Sequence, residues 1–132
     1  MKKLFALMSI VALTLAFASC SNKNSSPEAV VNAYMSAIQK GDAEKAIDLM
    51  YFENELDDEK RTEFVNMFND KLKTVQNDFG GVASFEIGEV KMDEDGEHAV
   101  VKCKTVYGNG EDEDGKQKTI KVNGKWYIDS GK

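Results

Sequence analysis

The chain has 132 residues, with 17 basic and 23 acidic side chains, and its formal net charge is −6 at pH 7. Such an acidic balance gives no electrostatic reason to approach nucleic acid or an anionic membrane surface. Two cysteines exclude a disulfide-rich scaffold. The length suits a single domain.

The N-terminus has the pattern of a secretory leader. Met1-Lys2-Lys3 is followed by an apolar run of 15 residues that ends at Ala18. A basic start, a short apolar core and small residues before the cleavage site are typical of a signal peptide. A membrane-spanning helix needs about 20 apolar residues, so an uncleaved anchor is the less favoured alternative.

Cys20 predicts where this leader delivers the protein. Small residues directly before a cysteine resemble a bacterial lipobox, although Phe17 stands where such signals usually carry leucine. The resemblance implies cleavage between Ser19 and Cys20, a diacylglycerol on the thiol, and a fatty acid such as palmitate on the new amine. Because two or more acyl chains hold a protein firmly on a bilayer, we expect a membrane-anchored lipoprotein. An ordinary leader with a chance cysteine is the alternative.

The predicted layout is a signal peptide over 1–19, an acylated cysteine and polar tether over 20–25, and one domain over 26–132. Ser21 resembles the residue found after the cysteine in outer-membrane lipoproteins, and no acidic cluster follows. We therefore expect a location on the outer membrane, facing the periplasm. Cleavage removes two lysines and no acidic residue, leaving 15 basic and 23 acidic side chains, a net charge of −8.

Apolar residues recur at helical spacing from residue 26 to residue 79. Ser26 is placed to cap a first helix that ends at Gly41, where glycine can take the left-handed conformation. Asp42 can cap a short second helix. A third helix is predicted from about Asp58 to Asp78.

Strand-like alternation in the second half of the chain predicts four strands. The first, over 82–92, changes phase at Gly88, which predicts a β-bulge at Gly88-Glu89 that bends the strand. The second covers about 99–107. An acidic, glycine-rich loop over 108–115 is expected to follow it.

The last two predicted strands, 116–122 and 125–129, flank Asn123-Gly124, a strong signal for a two-residue hairpin turn. The turn predicts two cross-strand pairs, Lys121 with Trp126 and Ile120 with Tyr127. Both faces of this hairpin are partly apolar, so the pattern leaves its inward face undecided.

Helices followed by consecutive strands predict an α+β domain, with three N-terminal helices packed on a curved antiparallel sheet of about four strands. The segment also resembles the nuclear transport factor 2-like (cystatin-like) α+β roll, and within it small bacterial lipoproteins. The resemblance covers about residues 26–130. It rests on the hairpin over 123–129 and on helix core and turn positions, namely Pro27, Val30, Val31, Tyr34, Ala37, Ile38, Gly41, Asp42 and Ala46. It implies the fold and leaves the function open, since enzymes, binders and assembly modules share that scaffold.

The single histidine, His98, falls on the polar phase of its strand with no orienting partner beside it, and we expect a surface residue. The turn Asp93-x-Asp95 begins like a calcium loop, but His98 stands at the sixth position, where glycine is needed. The acidic segment 111–115 is expected at the opposite end of the sheet. No cofactor and no metal site are predicted, beyond weak adventitious calcium binding.

Catalytic candidates are few. Roll-type enzymes such as ketosteroid isomerases place a tyrosine and carboxylates around the pocket, and Tyr34, Asp48 and Tyr51 match such a set only loosely. Cys103 has no activating neighbour on its own strand face and is expected to be a small buried residue. We therefore expect no catalytic residue.

Three hypotheses for the domain follow. The lack of a catalytic constellation favours a non-catalytic domain that binds a protein partner or a small apolar ligand, with the lipid bilayer contacted through acylated Cys20. A pocket enzyme of isomerase, dehydratase or hydrolase type is one alternative. A dimerisation module that pairs through its open sheet face is the other.

Overall fold

The computed structural model describes residues 23–130. The predicted cleavage site at Ser19 and Cys20, and the acylation of Cys20, lie outside the described residues. Within residues 23–130, no helix has the length and apolar character needed to cross a bilayer.

The three predicted helices are confirmed, as α1 (Pro27–Lys40), α2 (Ala43–Asp48) and α3 (Asp58–Phe79). The hydroxyl of Ser26 accepts a hydrogen bond from the Ala29 amide at 3.0 Å, which satisfies an otherwise unpaired N–H at the helix start. Gly41 ends α1 with a φ of 74°. A side chain there would be strained in this left-handed conformation.

The sheet has five strands in the order β1-β5-β4-β3-β2. They are β1 (Met50–Tyr51), β2 (Val82–Met92), β3 (His98–Tyr107), β4 (Asp112–Val122) and β5 (Lys125–Asp129). The expectation of about four antiparallel strands after all the helices was wrong at one edge. β1 lies between α2 and α3 and pairs in parallel with β5. A two-residue strand is too short to show alternation, so no sequence pattern indicates it.

The expected loop over 108–115 was too long. β4 already begins at Asp112, and it pairs with β3 from Val106↔Asp112 onward. Aspartate, glutamate and glycine have low strand propensity, but pairing with a neighbouring strand overrides that preference. The acidic turns before β3 and before β4 lie at opposite ends of β3, as predicted.

The predicted bulge and hairpin are confirmed. The register of β2 against β3 shifts between Ile87 and Val90, which places the irregularity at Gly88-Glu89. The hairpin of β4 and β5 pairs the residues as expected, Ile120 with Tyr127 and Lys121 with Trp126.

Packing of α1 decides which face of the sheet points inward. Trp126 and Ile128 are 5% and 1% exposed, so their side of β5 faces the helices and Tyr127 faces outward. The core cluster joins α1, the sheet and the residue that follows α2, and comprises Val30, Val31, Leu49, Ala99, Val101, Trp126 and Ile128. The one buried polar side chain among the described residues, Thr119, donates a hydrogen bond to the Ala99 carbonyl at 2.9 Å.

The long helix α3 is the peripheral element. Its 22 residues include no fully buried side chain, and Met67 is 53% exposed. Phe68 contacts Tyr34 of α1 edge-on, with ring centroids 6.2 Å apart. Because Phe68 is only half-buried, α3 is held to the roll by side-chain contacts at its rim and not by burial in the core.

Candidate functional sites

The apolar side of α3 makes two aromatic contacts with the rest of the domain. Phe64 packs against Phe52, which follows β1, with ring centroids 5.1 Å apart. One helical turn further on, Phe68 meets the ring of Tyr34. These two contacts join α3 to the edge of the sheet and to α1.

Two small recesses lie along this same side of α3. One, of about 180 Å³, is at Phe64 and is lined by the segment from Phe52 to Leu56 with Lys60. The other, of about 110 Å³, is lined by apolar side chains together with glycine and polar groups, and its apolar members are Ile38, Leu72, Val75 and Val82. Phe68 lies between the two recesses, one turn from Phe64 and one turn from Leu72.

The loosely matched enzyme set is not brought together. Burial raises the pKa of Tyr34, which keeps its hydroxyl protonated. Asp48 is 53% exposed and pairs with Arg61 of α3 at 2.6 Å. Tyr51 lies on the outer face of the sheet against Tyr127, with centroids 6.4 Å apart. The three side chains therefore lie in three different surroundings and do not face a common site.

Cys103 is half-buried, where the sequence indicated a buried residue. Desolvation raises the pKa of its thiol, so the reactive thiolate is disfavoured. It helps to line a cavity of about 430 Å³ on the sheet together with charged groups, including Lys102, Lys104 and Lys116. Lys102 reaches Glu89 at 3.4 Å, so this cavity is of mixed charge.

The expectation that His98 has no orienting partner was wrong. Its Nδ1 lies 2.7 Å from Oδ2 of Asp95. The other oxygen of Asp95 accepts backbone hydrogen bonds from Glu97 at 2.8 Å and from His98 at 3.1 Å. An aspartate that caps its own turn in this way is common, and Asp95-Gly96 before a strand was the signal for it. The imidazole is 41% exposed, so the surface position was predicted correctly.

This contact shifts the pKa values of both partners. The side-chain hydrogen bond to Asp95 raises the pKa of His98, and the charges of Asp129 and Asp93 add to the effect. The backbone hydrogen bond from Glu97, followed by the side-chain contact with His98, lowers the pKa of Asp95. The ion pair therefore exists at pH values above the pKa of Asp95 and below the pKa of His98.

We expect the His98 pKa to lie above its ordinary 6.5 and to fall towards that value in Asp95→Asn. Stability from the raised histidine pKa is fully present below about 6.5 and is lost as the pH rises through the folded value. Stability from the lowered Asp95 pKa is lost as the pH falls through its folded value. NMR titration of the imidazole and urea midpoints at pH 5 and pH 8 measure the histidine effect, and a further urea midpoint below pH 3.8 measures the Asp95 effect. An unchanged imidazole titration in the variant would refute the assignment.

The same turn gathers three groups that can hold a metal ion. One ligand atom each from Asp93, Asp95 and His98 lies within 4.8 Å of the others. The sequence predicted no site here, since the calcium-loop pattern fails. Both carboxylates are exposed, and one oxygen of Asp95 is already used by the backbone. The geometry permits weak binding of a divalent cation and nothing more specific.

Comparison with known proteins identifies the family. A model of a family described as Domain of unknown function (DUF4878) matches residues 18–129. The chain belongs to the DUF4878 family. A search of curated proteins gave no match.

Solved structures place this DUF4878 chain among NTF2-like folds. It resembles a Campylobacter jejuni protein assigned as an NTF2-like transpeptidase, with a TM-score of 0.64 and 17% identity, over 80% of this chain and 98% of that one. It also resembles a SEC-C motif containing protein from Rhodopseudomonas palustris, with a TM-score of 0.53 and 18% identity, over 80% and 77% of the two chains. At these identities the likeness establishes the NTF2-like α+β fold and no activity.

Proposed function

We propose that this DUF4878 chain is a lipid-anchored protein of the bacterial envelope, on the outer membrane facing the periplasm, with a non-catalytic roll domain. The anchor is supported by the leader that ends at Ser19 and by the cysteine that follows it, Cys20. Because acyl chains hold the protein at the membrane, the domain is free to serve as a binding module.

The ligand we propose is a small apolar molecule held between α3, α1 and the sheet. One observation carries this proposal: α3 is 22 residues long and none of its side chains is fully buried. A helix of this length in a small domain normally buries an apolar stripe. Here Phe64, Phe68 and Leu72 are only half-buried and border two recesses. An apolar ligand that joins the recesses would complete the burial of this stripe.

A pocket enzyme is less well supported on the same surface. Tyr34 packs against Phe68, and burial raises the pKa of Tyr34 and so holds its hydroxyl in the protonated form. General acid–base catalysis needs a group whose pKa is tuned towards the working pH and an orienting partner. The charged groups that line the recess at Phe64, such as Lys60, are exposed.

The acylated full-length protein, extracted in a mild neutral detergent and analysed by native mass spectrometry, should carry a small adduct that denaturation releases. Phe68→Ala should lose the adduct, because Phe68 lies between the two recesses. Met67→Ala is the matched control on the same helix, since Met67 is 53% exposed, and it should keep the adduct. An adduct that survives Phe68→Ala, or none in the wild type, contradicts the proposal. A co-purified polypeptide would indicate a protein partner instead.

Dimerisation is a second candidate with its own observation. The outer face of the sheet carries partly buried apolar side chains on neighbouring strands, including Tyr51, Val100, Ile120 and Tyr127. An apolar patch on an open sheet face is a common protein–protein contact. Light scattering of the detergent-solubilised protein would detect it as a doubled protein mass.

A further inference from the structure

A small recess between α1, α2 and the start of the described chain is surrounded by lysines. Its volume is about 170 Å³. Small side chains on one face of α1, Ala33, Ser36 and Ala37, form its floor together with Leu49. Its charged members are Lys23, Lys40 and Lys45, and no acidic side chain lines it. We call it the lysine recess.

The three lysines have carboxylates nearby. Lys40 lines a second cavity together with Asp42 and Glu44, and the backbone amide of Lys45 donates to Oδ1 of Asp42 at 3.1 Å. Within residues 23–130, however, none of the three ammonium groups lies in an ion pair. The acidic residues of α2 lie on another side of that helix. Asp48 pairs with Arg61 of α3, and Glu44 precedes it by one turn on the same side. Lys45 instead shares a side with Leu49, which lines the recess. Three like charges around one hollow repel each other unless an anion joins them.

The recess lies beside the N-terminal segment of the domain, close in the chain to Cys20, and this position indicates the kind of anion that would bind there. Asn24 is fixed to the edge of β5 by two hydrogen bonds. Its carbonyl accepts from the Trp126 amide at 2.9 Å, and its side-chain amide donates to the Trp126 carbonyl at 2.7 Å. Cys20 is four residues upstream, and four Cα–Cα steps span at most about 15 Å. A lipid anchor on Cys20 therefore keeps this side of the domain close to the bilayer surface.

We propose that the lysine recess binds the phosphate groups of anionic phospholipids in the leaflet that holds the Cys20 anchor, and so fixes the orientation of the domain. This inference rests on the proposed lipid anchor. The net charge of −8 predicts repulsion of the domain as a whole, but that argument averages over the surface. Charges separated by more than about 8–10 Å are largely screened at physiological salt, so the lysines nearest the bilayer decide the local contact.

The test uses the acylated full-length protein in vesicles of phosphatidylcholine alone or of phosphatidylcholine with phosphatidylglycerol. A neutral amine-modifying reagent is applied, and mass spectrometry gives the labelling rate of each lysine. Lys23, Lys40 and Lys45 should be labelled about five-fold more slowly in the anionic vesicles, as expected for a lysine attracted to an anionic surface. Lys71 and Lys73, exposed on α3, are internal controls and should label equally in both. The protection should disappear at high salt.

A variant pair separates a specific recess from general charge attraction. Lys40→Glu/Lys45→Glu should abolish the protection of Lys23 in anionic vesicles, whereas Lys71→Glu/Lys73→Glu should leave it unchanged. Equal labelling of Lys40 and Lys45 in both vesicle types, with the protein still bound, overturns the recess and leaves the anchor intact. Failure to float with either vesicle type overturns the anchor itself. Protection by inorganic phosphate without vesicles would assign the recess to a free oxyanion and overturn the lipid assignment.

Discussion

Cys20→Ala should abolish acylation and remove the lipid anchor. Each buried CH₂ of an acyl chain contributes about 0.8 kcal/mol, so the loss of several chains outweighs any other contact of the domain with the bilayer. Growth with a clickable fatty-acid analogue, followed by fractionation, measures both effects. The wild type should carry the label in the membrane fraction, and the variant should carry no label.

The second cysteine supplies the matched control. Cys103→Ala should remain labelled and membrane-bound, because Cys103 lies within β3 and is not preceded by a leader. Intact mass distinguishes two ways in which Cys20→Ala could stay bound. A chain that keeps residues 1–19 is held by its leader. An unlabelled wild type, or a variant that still carries the label, contradicts the lipoprotein hypothesis.

Gly108→Ala should destabilise the fold by about 3 kcal/mol, the upper end of what overpacking costs. A Cβ on Gly108 would lie 2.3 Å from the carbonyl oxygen of Gly80, the residue that caps α3. Neither group can rotate away, because the Gly108 amide donates to the Gly81 carbonyl at 2.9 Å in the same contact. The junction between the end of α3 and the turn after β3 must therefore open. Urea denaturation followed by circular dichroism gives the free energy of unfolding.

Gly115→Ala is the control for that result. Gly115 lies in β4, its φ is not positive, and the atom that an added Cβ would meet is the Cys103 carbonyl oxygen at 3.9 Å. Alanine there should stabilise the strand by about 0.5 kcal/mol, since glycine in a strand interior loses more conformational entropy. Equal losses in the two variants would show that the close approach of Gly108 to Gly80 is not the cause.

Local sequence signals predicted correctly those structural features that a few neighbouring residues determine. Ser26 and Gly41 bound α1 as predicted, because capping and the left-handed conformation are properties of single residues. Asn123-Gly124 fixed the register of β4 and β5 for the same reason. The phase change at Gly88 located the bulge, because a strand with one inward face has to keep its period.

The predictions failed where the structure depends on pairing between residues that are far apart in the chain. β1 exists because Leu49 accepts a hydrogen bond from Ile128 at 2.8 Å and Met50 then pairs with that residue. Two residues are too few to show a periodic pattern, so this strand cannot be predicted from the local sequence. β4 extends back to Asp112 because β3 offers it hydrogen-bond partners. The contact of His98 with Asp95 formed because the turn brings an aspartate side chain back over the strand that follows.

Residues that are neighbours in the chain are enough to predict the α+β class, the ends of the helices, the hairpin register and a lipid anchor at Cys20. Burial depends instead on which elements cover a surface, so only the packed fold shows that Trp126 faces inward and that α3 stays half-exposed. The packed fold alone gathers Lys23, Lys40 and Lys45 around one recess. These lysines come from three separate segments, and only the packing of α1 against α2 and β5 brings their charges together.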